Sequence, residues 1–141
     1  MNYSICTIKT IKATESDQLG ALSFFESERS IPFSIQRVYY IFDVAEGMHR
    51  GGHAHKSLWQ LLVCPYGSIR IDLDDGKEKA SVLLDRPEIG LIVSPGLWRD
   101  MIWKEERSVL LVAASEYYDA SDYIRNYDEF LSYAKGFGYE R

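Results

Sequence analysis

The stretch Gly47-Met48-His49-Arg50-Gly51-Gly52-His53-Ala54-His55-Lys56 holds all three histidines of this 141-residue chain. Histidine titrates near neutral pH and serves equally well as proton shuttle or metal ligand. His53 and His55 stand two apart, and in an extended strand such residues point to one face. Close behind them, Leu58-Trp59-Gln60-Leu61-Leu62-Val63-Cys64 is apolar enough to be a buried strand. The order predicts a histidine pair on the inner wall of a β structure, with His49 on the preceding turn. Leu58–Val63, Trp59 included, reads as core.

Working outward, short β-type runs recur between turn signals: Tyr3–Ile11, Leu19–Glu26, Ile35–Asp43, Gly67–Asp74, Lys79–Leu84, Gly90–Val93, Trp98–Trp103 and Ser108–Ser115. Ser68–Asp74 alternates apolar and polar residues, the mark of a strand with one wet face. Asp74-Asp75-Gly76-Lys77 supplies a hairpin turn, and Arg86-Pro87 and Pro95-Gly96 mark further turns. Helical spacing appears only in the tail, where Tyr123, Ile124, Tyr127, Phe130, Leu131 and Ala134 predict a helix or helical turns over Ala120–Lys135. The expected architecture is all-β, a single jelly-roll domain over 1–141, with its barrel at about 3–117 and a helical tail at about 120–135.

Composition bounds the function classes. The 46% apolar and 26% charged residues describe an ordinary globular protein, and ten tyrosines suit pockets as well as cores. A net charge of −5 argues against general nucleic-acid binding. No apolar run approaches the ~20 residues that span a bilayer, and the N-terminus lacks a signal-peptide core. Cys6 and Cys64 form no CxxC pattern. These features predict a reduced, cytoplasmic protein without membrane or nucleic-acid partners.

The spacing Gly47, His53-x-His55, Gln60, Gly67 resembles the first cupin motif, G(x)5HxH(x)3–4E(x)6G, with Gln60 in place of the glutamate. Gly90–Arg99 stands where the second motif, resembling G(x)5PxG(x)2H, is expected, and Arg99 falls at or near its histidine. Gln60 is a neutral, weaker ligand, and Arg99 is a cation that repels a divalent ion. Two ligands of four remain, so no metal and no cofactor are expected.

A metal-free pocket with paired imidazoles, tyrosines and an arginine suits proton transfer beside a carbonyl. Arg99 or Tyr39 would stabilise the enediolate formed on the way. Tyr39 and Tyr40 face opposite sides of their strand. Arg37 shares a face with Tyr39, which makes Tyr39 the pocket residue.

Arg37–Asp43, Arg50–Lys56, Leu73–Gly76, Val82–Pro87, Ala114–Asp119 and Asp122–Phe130 together resemble the sugar 3,4-ketoisomerase family, a match that runs over roughly residues 5–131. The resemblance implies a metal-free jelly-roll homodimer that moves the keto group of dTDP-4-keto-6-deoxyglucose from C4 to C3, for synthesis of 3-amino-3,6-dideoxyhexoses of surface polysaccharides. It implies His53 as leading acid/base, His55 as its neighbour and Tyr39 as the nearby hydroxyl. Spacing alone does not rank the two histidines. Arg50, beside the Gly51-Gly52 pair, is a candidate for the diphosphate, with a surface salt bridge as its structural alternative. Trp98 would stack on thymine or sugar, or else close the barrel mouth. Arg37, Gln60 and Arg99 complete the expected substrate-binding set.

Arginine at position 99 resembles the galacto-forming branch, so the expected product is the 3-keto-6-deoxygalactose sugar. Asp17–Leu22 departs from the family pattern, with Leu19 before the glycine where Arg or Tyr is common. The competing readings are the gluco-configured product, an epimerase of dTDP-4-keto sugars, a metal-dependent cupin and a non-catalytic sugar-binding module. Tyr3–Ile11, an apolar edge-strand candidate, supports dimerisation.

Overall fold

The computed structural model describes residues 1–12 and 17–138. Its strands are β1 (Tyr3–Thr7), β2 (Lys9–Lys12), β3 (Ala21–Phe24), β4 (Arg37–Ile41), β5 (His49–His55), β6 (Gln60–Tyr66), β7 (Ile69–Asp74), β8 (Lys79–Leu84), β9 (Ile89–Val93), β10 (Trp98–Trp103), β11 (Val109–Ala114) and β12 (Tyr123–Ile124), followed by helix α1 (Tyr127–Gly138). One antiparallel sheet runs β1-β9-β6-β11-β4 and the other β12-β5-β10-β7-β8, with β2-β3 as a separate ribbon. From β4 onward consecutive strands alternate between the two facing sheets, except for the β7–β8 hairpin, which stays within one sheet; this is the jelly-roll arrangement.

Residue alternation explains which faces meet. On β7, Ile69, Ile71 and Leu73 point between the sheets, where they pack with Leu62, Cys64, Leu91, Val93, Met101, Trp103, Leu110 and Val112. Arg70 and Asp72 face outward and pair with each other at 3.1 Å. β6 is covered on both sides, so it reads as an unbroken apolar run. Its Leu61 and Val63 face an outer layer made by Ile8, Ile31 and Phe33. The β7–β8 turn is closed as its sequence suggests: the Asp74 side chain accepts from Gly76 N at 2.7 Å, and that of Asp75 from Lys77 N at 2.8 Å.

Three expectations need correction. Tyr3–Ile11 is not one strand: Ile8 turns into the outer apolar layer and divides β1 from β2. Trp59 is not core, because β6 begins only at Gln60 and the indole lies on the surface, 36% exposed. The helix begins at Tyr127, not Ala120. Before it, Asp119 caps a short 3-10 turn (Ala120–Asp122) and Tyr123-Ile124 pairs with β5 as an edge strand. Ile124, Phe130 and Ala134 then pack on Ala54, sealing the outer face of the histidine strand. The Asn126 side chain accepts from Glu129 N at 3.0 Å and starts α1. Among the described residues no helix is long and apolar enough to cross a membrane.

Candidate active site

The histidine segment is a strand, β5, and it carries a bulge. Paired with β10, His53 stands opposite Arg99, Gly51 opposite Asp100, Arg50 opposite Met101 and His49 opposite Ile102, leaving Gly52 as the extra residue. Gly51 and Gly52 hold φ of 98° and 70°, and a Cβ on Gly51 would lie 2.8 Å from the Arg99 carbonyl oxygen. Only glycine suits that position.

Simple alternation would align residues 49, 51, 53 and 55 on one face. The bulge inverts the facing on its far side. Arg50 therefore joins His53 at the cleft, while His49 belongs to the strand and not to a turn, and is exposed on the outer face within electrostatic reach of Asp72.

His53 and His55 do share the inner face, their rings edge-on with centroids 4.9 Å apart. His53 lines the cleft; His55 lies behind it, 0% exposed. Burial, then the Arg99 cation, push the His53 pKa down to about 4, against a backbone hydrogen bond to Gly51 that raises it. The same two influences lower that of His55. Both rings are neutral at pH 7.

Asp122 orients the inner ring. One of its carboxylate oxygens accepts from His55 Nδ1 at 3.0 Å. The other accepts from Ser57 N and Ser57 Oγ, each at 2.8 Å. An ionised carboxylate only accepts, so Nδ1 carries the His55 proton and Nε2 presents a lone pair. That Nε2 is buried and has no hydrogen-bond partner among the described residues.

Arg99 is the buried cation of the site, 1% exposed. It donates to Gln60 Oε1 and to the Leu97 carbonyl, the latter at 2.9 Å. None of the ion pairs among the described residues involves it. Burial lowers its pKa to about 10, which leaves the guanidinium charged at neutral pH. Gln60, 2% exposed, spends its other end on the Tyr39 hydroxyl, donating from Nε2 at 2.9 Å. Burial raises the Tyr39 pKa against the pull of Arg99, so the phenol keeps its proton.

The cleft, about 470 Å³, is lined by Tyr39, His53 and Tyr123 and by three guanidinium side chains, Arg37, Arg50 and Arg125. Arg37 lies over the Tyr39 ring at 5.2 Å and Arg125 over the Tyr123 ring at 4.3 Å. Of the expected residues, Tyr39, His53, Arg37 and Arg50 meet at the cleft, with His55, Gln60 and Arg99 directly behind. Trp98 does not belong there. It neighbours the inward Arg99 and so points outward, packing on Tyr127 and Phe130 at 5.2 and 5.6 Å. Asp122, Tyr123 and Arg125 were given no role from sequence, although they fall inside a matched motif; β12 brings all three to the site.

The donor set does not fit a cupin metal. His49 faces away, the Gln60 oxygen is taken by Arg99, and Arg99 itself occupies the third-histidine position. No group of three or more His, Cys, Asp or Glu that could hold an ion occurs among the described residues.

The family model described as "FdtA: WxcM-like, C-terminal" matches residues 1–135. A curated TDP-4-oxo-6-deoxy-alpha-D-glucose-3,4-oxoisomerase of Aneurinibacillus thermoaerophilus is 50% identical over 117 residues, 83% of this chain and 84% of that protein. The chain belongs to the sugar 3,4-ketoisomerase family. A solved histidine-to-asparagine variant of the 3,4-ketoisomerase QdtA from Thermoanaerobacterium thermosaccharolyticum, in complex with TDP-4-keto-6-deoxyglucose, matches this ketoisomerase with a TM-score of 0.89 and 43% identity over 96% of this chain and 95% of that one. The TDP-quinovose 3,4-ketoisomerase WlaRB of Campylobacter jejuni matches with a TM-score of 0.86 and 45% identity over 93% and 98%. A TDP-sugar 3,4-ketoisomerase exchanges a ketone and a hydroxyl on adjacent carbons, so its chemistry is proton movement with no net redox change.

Proposed function

We propose that this ketoisomerase converts TDP-4-keto-6-deoxyglucose to the 3-keto isomer, with His53 moving the carbon-bound proton. The observation that carries the reading is a neutral imidazole on the cleft wall beside a buried, un-ion-paired arginine. Neutral His53 removes the C3 proton, and the electrons collect as an enediolate over O3 and O4. The field of Arg99 and the Tyr39 hydroxyl stabilise that charge. The burial and the neighbouring cation that lower the His53 pKa make its imidazolium a strong acid, which returns the proton to C4. O3 gives up its hydrogen and O4 gains one, which closes the balance without an external oxidant. Substrate bound to a histidine-to-asparagine relative is consistent with an imidazole needed for turnover and not for binding. Arg37, Arg50 and Arg125 supply donors for the diphosphate.

For the C4 configuration, the galacto product expected from the resemblance at Arg99 gains no support from the placement of that side chain. The guanidinium is tied behind Gln60 and does not line the cleft. The 45% identity to a TDP-quinovose isomerase favours the gluco product, quinovose being 6-deoxyglucose. Proton NMR after incubation with TDP-4-keto-6-deoxyglucose tests both levels. A ketone that stays at C4 while solvent deuterium enters the ring refutes isomerisation in favour of epimerisation, and an axial C4 hydroxyl refutes the gluco outcome. Dimerisation is supported by apolar Val38, Tyr40 and Phe42, exposed along and just beyond edge strand β4. A monomer on sizing would remove it.

A further inference from the structure

We infer that Gln60 is a positioning residue that aims the Tyr39 hydroxyl proton into the cleft, making Tyr39 the donor to the sugar carbonyl. This rests on the isomerase reading above.

The orientation of the Gln60 amide follows from its neighbours. Arg99 has only donors, so the side of the amide facing it must be the oxygen, Oε1. The amide nitrogen is then turned to Tyr39, where it donates to the phenolic oxygen at 2.9 Å. A phenol that accepts from Gln60 directs its own O–H elsewhere. No hydrogen bond donated by that hydroxyl is formed among the described residues, and the Tyr39 ring stands on the cleft wall with Arg37 and His53. The chain Arg99 to Gln60 to Tyr39 is thus a polarised relay: a buried cation fixes an amide, and the amide fixes a donor. Aligned donors of this kind polarise one another in a low-dielectric interior.

A carboxylate at position 60 would act oppositely. It would accept from Arg99 and from the Tyr39 O–H together, turning the proton away from the cleft and neutralising the arginine field. Glutamine where the cupin pattern has glutamate therefore serves donor geometry here, besides removing a metal ligand.

The test measures turnover of Gln60→Glu and Gln60→Met, each in the native and Tyr39→Phe backgrounds. Gln60→Glu is expected to lower kcat at least 100-fold with KM within threefold, and to leave Tm no lower, since Arg99 gains a counter-charge. That loss should be at least tenfold smaller once Tyr39 is phenylalanine. Gln60→Met, which removes the amide without adding charge, should lower kcat in the native background only. Equal losses in both backgrounds, or kcat retained within threefold by both variants, overturns the inference. Failure of the isomerase reading itself would appear separately, as no keto migration by the unaltered protein.

Discussion

Replacing Asp122 with asparagine should invert the His55 tautomer. The Ser57 backbone N–H lies 2.8 Å from one Asp122 oxygen and can only donate. An asparagine in that place must therefore keep its oxygen toward Ser57 and turn its NH2 toward His55, 3.0 Å away. Nδ1 then has to accept, and the ring proton moves to Nε2, the atom that is bare in the native protein. Three hydrogen bonds that were charge-assisted become neutral or reversed, a loss of about 2 kcal/mol, set against relief of carboxylate burial. The net cost is on the order of 1 kcal/mol, a Tm drop of roughly 3–6 °C in a domain of this size. The effect on turnover is larger. Removing the orienting carboxylate of a catalytic histidine lowers kcat by up to about 10⁴-fold in serine proteases, through the wrong tautomer. His55 lies behind the base His53 and not at the reacting carbons, so a smaller loss of about 10–100-fold is expected here. Nitrogen-15 NMR of labelled histidine reads the tautomer directly, beside kcat and a melting curve. A His55 that keeps its Nδ1 proton, or a kcat within threefold of native, refutes the reasoning.

Gly51→Ala should cost about 2 kcal/mol or more and abolish activity, because its Cβ meets the Arg99 carbonyl oxygen at 2.8 Å in a φ of 98° that alanine resists; a melting curve within 2 °C of native would contradict this. The pH dependence follows from His53, lowered to about 4 from 6.5. Between those values the unfolded chain binds the proton and the folded one does not, so stability should fall as pH drops from 6.5 toward 4, and kcat/KM should hold down to about pH 5 before falling. Melting curves and a pH–rate profile check both, and an acid limb of kcat/KM centred near 6.5 would count against the buried, neutral base. Prolonged treatment with a strong chelator should leave turnover unchanged, given the Arg99 cation behind the histidines; a loss restored by adding a divalent metal would overturn that account.

Period-two alternation made much of this site legible. It placed His53 with His55, and Tyr39 with Arg37, because each pair lies within one uninterrupted run of strand. It cannot be carried to Arg50 and His49, which lie across the bulge. The Gly51-Gly52 pair is the visible signal of that irregularity. Trp98, expected to stack on the ligand or to close the barrel mouth, packs on Tyr127 and Phe130, since an inward Arg99 obliges its neighbour to face out. Asp122 was beyond reach for another reason. Its partner His55 is 67 residues away, and only the pairing of β12 with β5 joins them. A 3.6-residue periodicity in Tyr123, Ile124 and Tyr127 suggested continuous helix there, but capping by Asp119 and burial of Ile124 against Ala54 outweighed it.

The departures from the cupin pattern act as one set. A metal centre in this barrel would need a carboxylate at position 60 and a histidine at position 99 beside His53 and His55. Here the bulge turns His49 out and brings Arg50 in, Arg99 supplies fixed positive charge, and Gln60 connects that charge to Tyr39. Any one change alone would leave an incomplete metal site or a buried cation with poor partners, both costly. Together they replace a mobile Lewis acid with a rigid guanidinium and an aligned phenol, held by backbone and amide contacts. An enediolate needs stabilisation at two adjacent oxygens while a proton crosses between their carbons. In the proposed mechanism the Tyr39 hydroxyl and the field of Arg99 would supply this beside a weakly basic imidazole, without binding the base itself, as a metal ion would by occupying the lone pairs of His53 and His55.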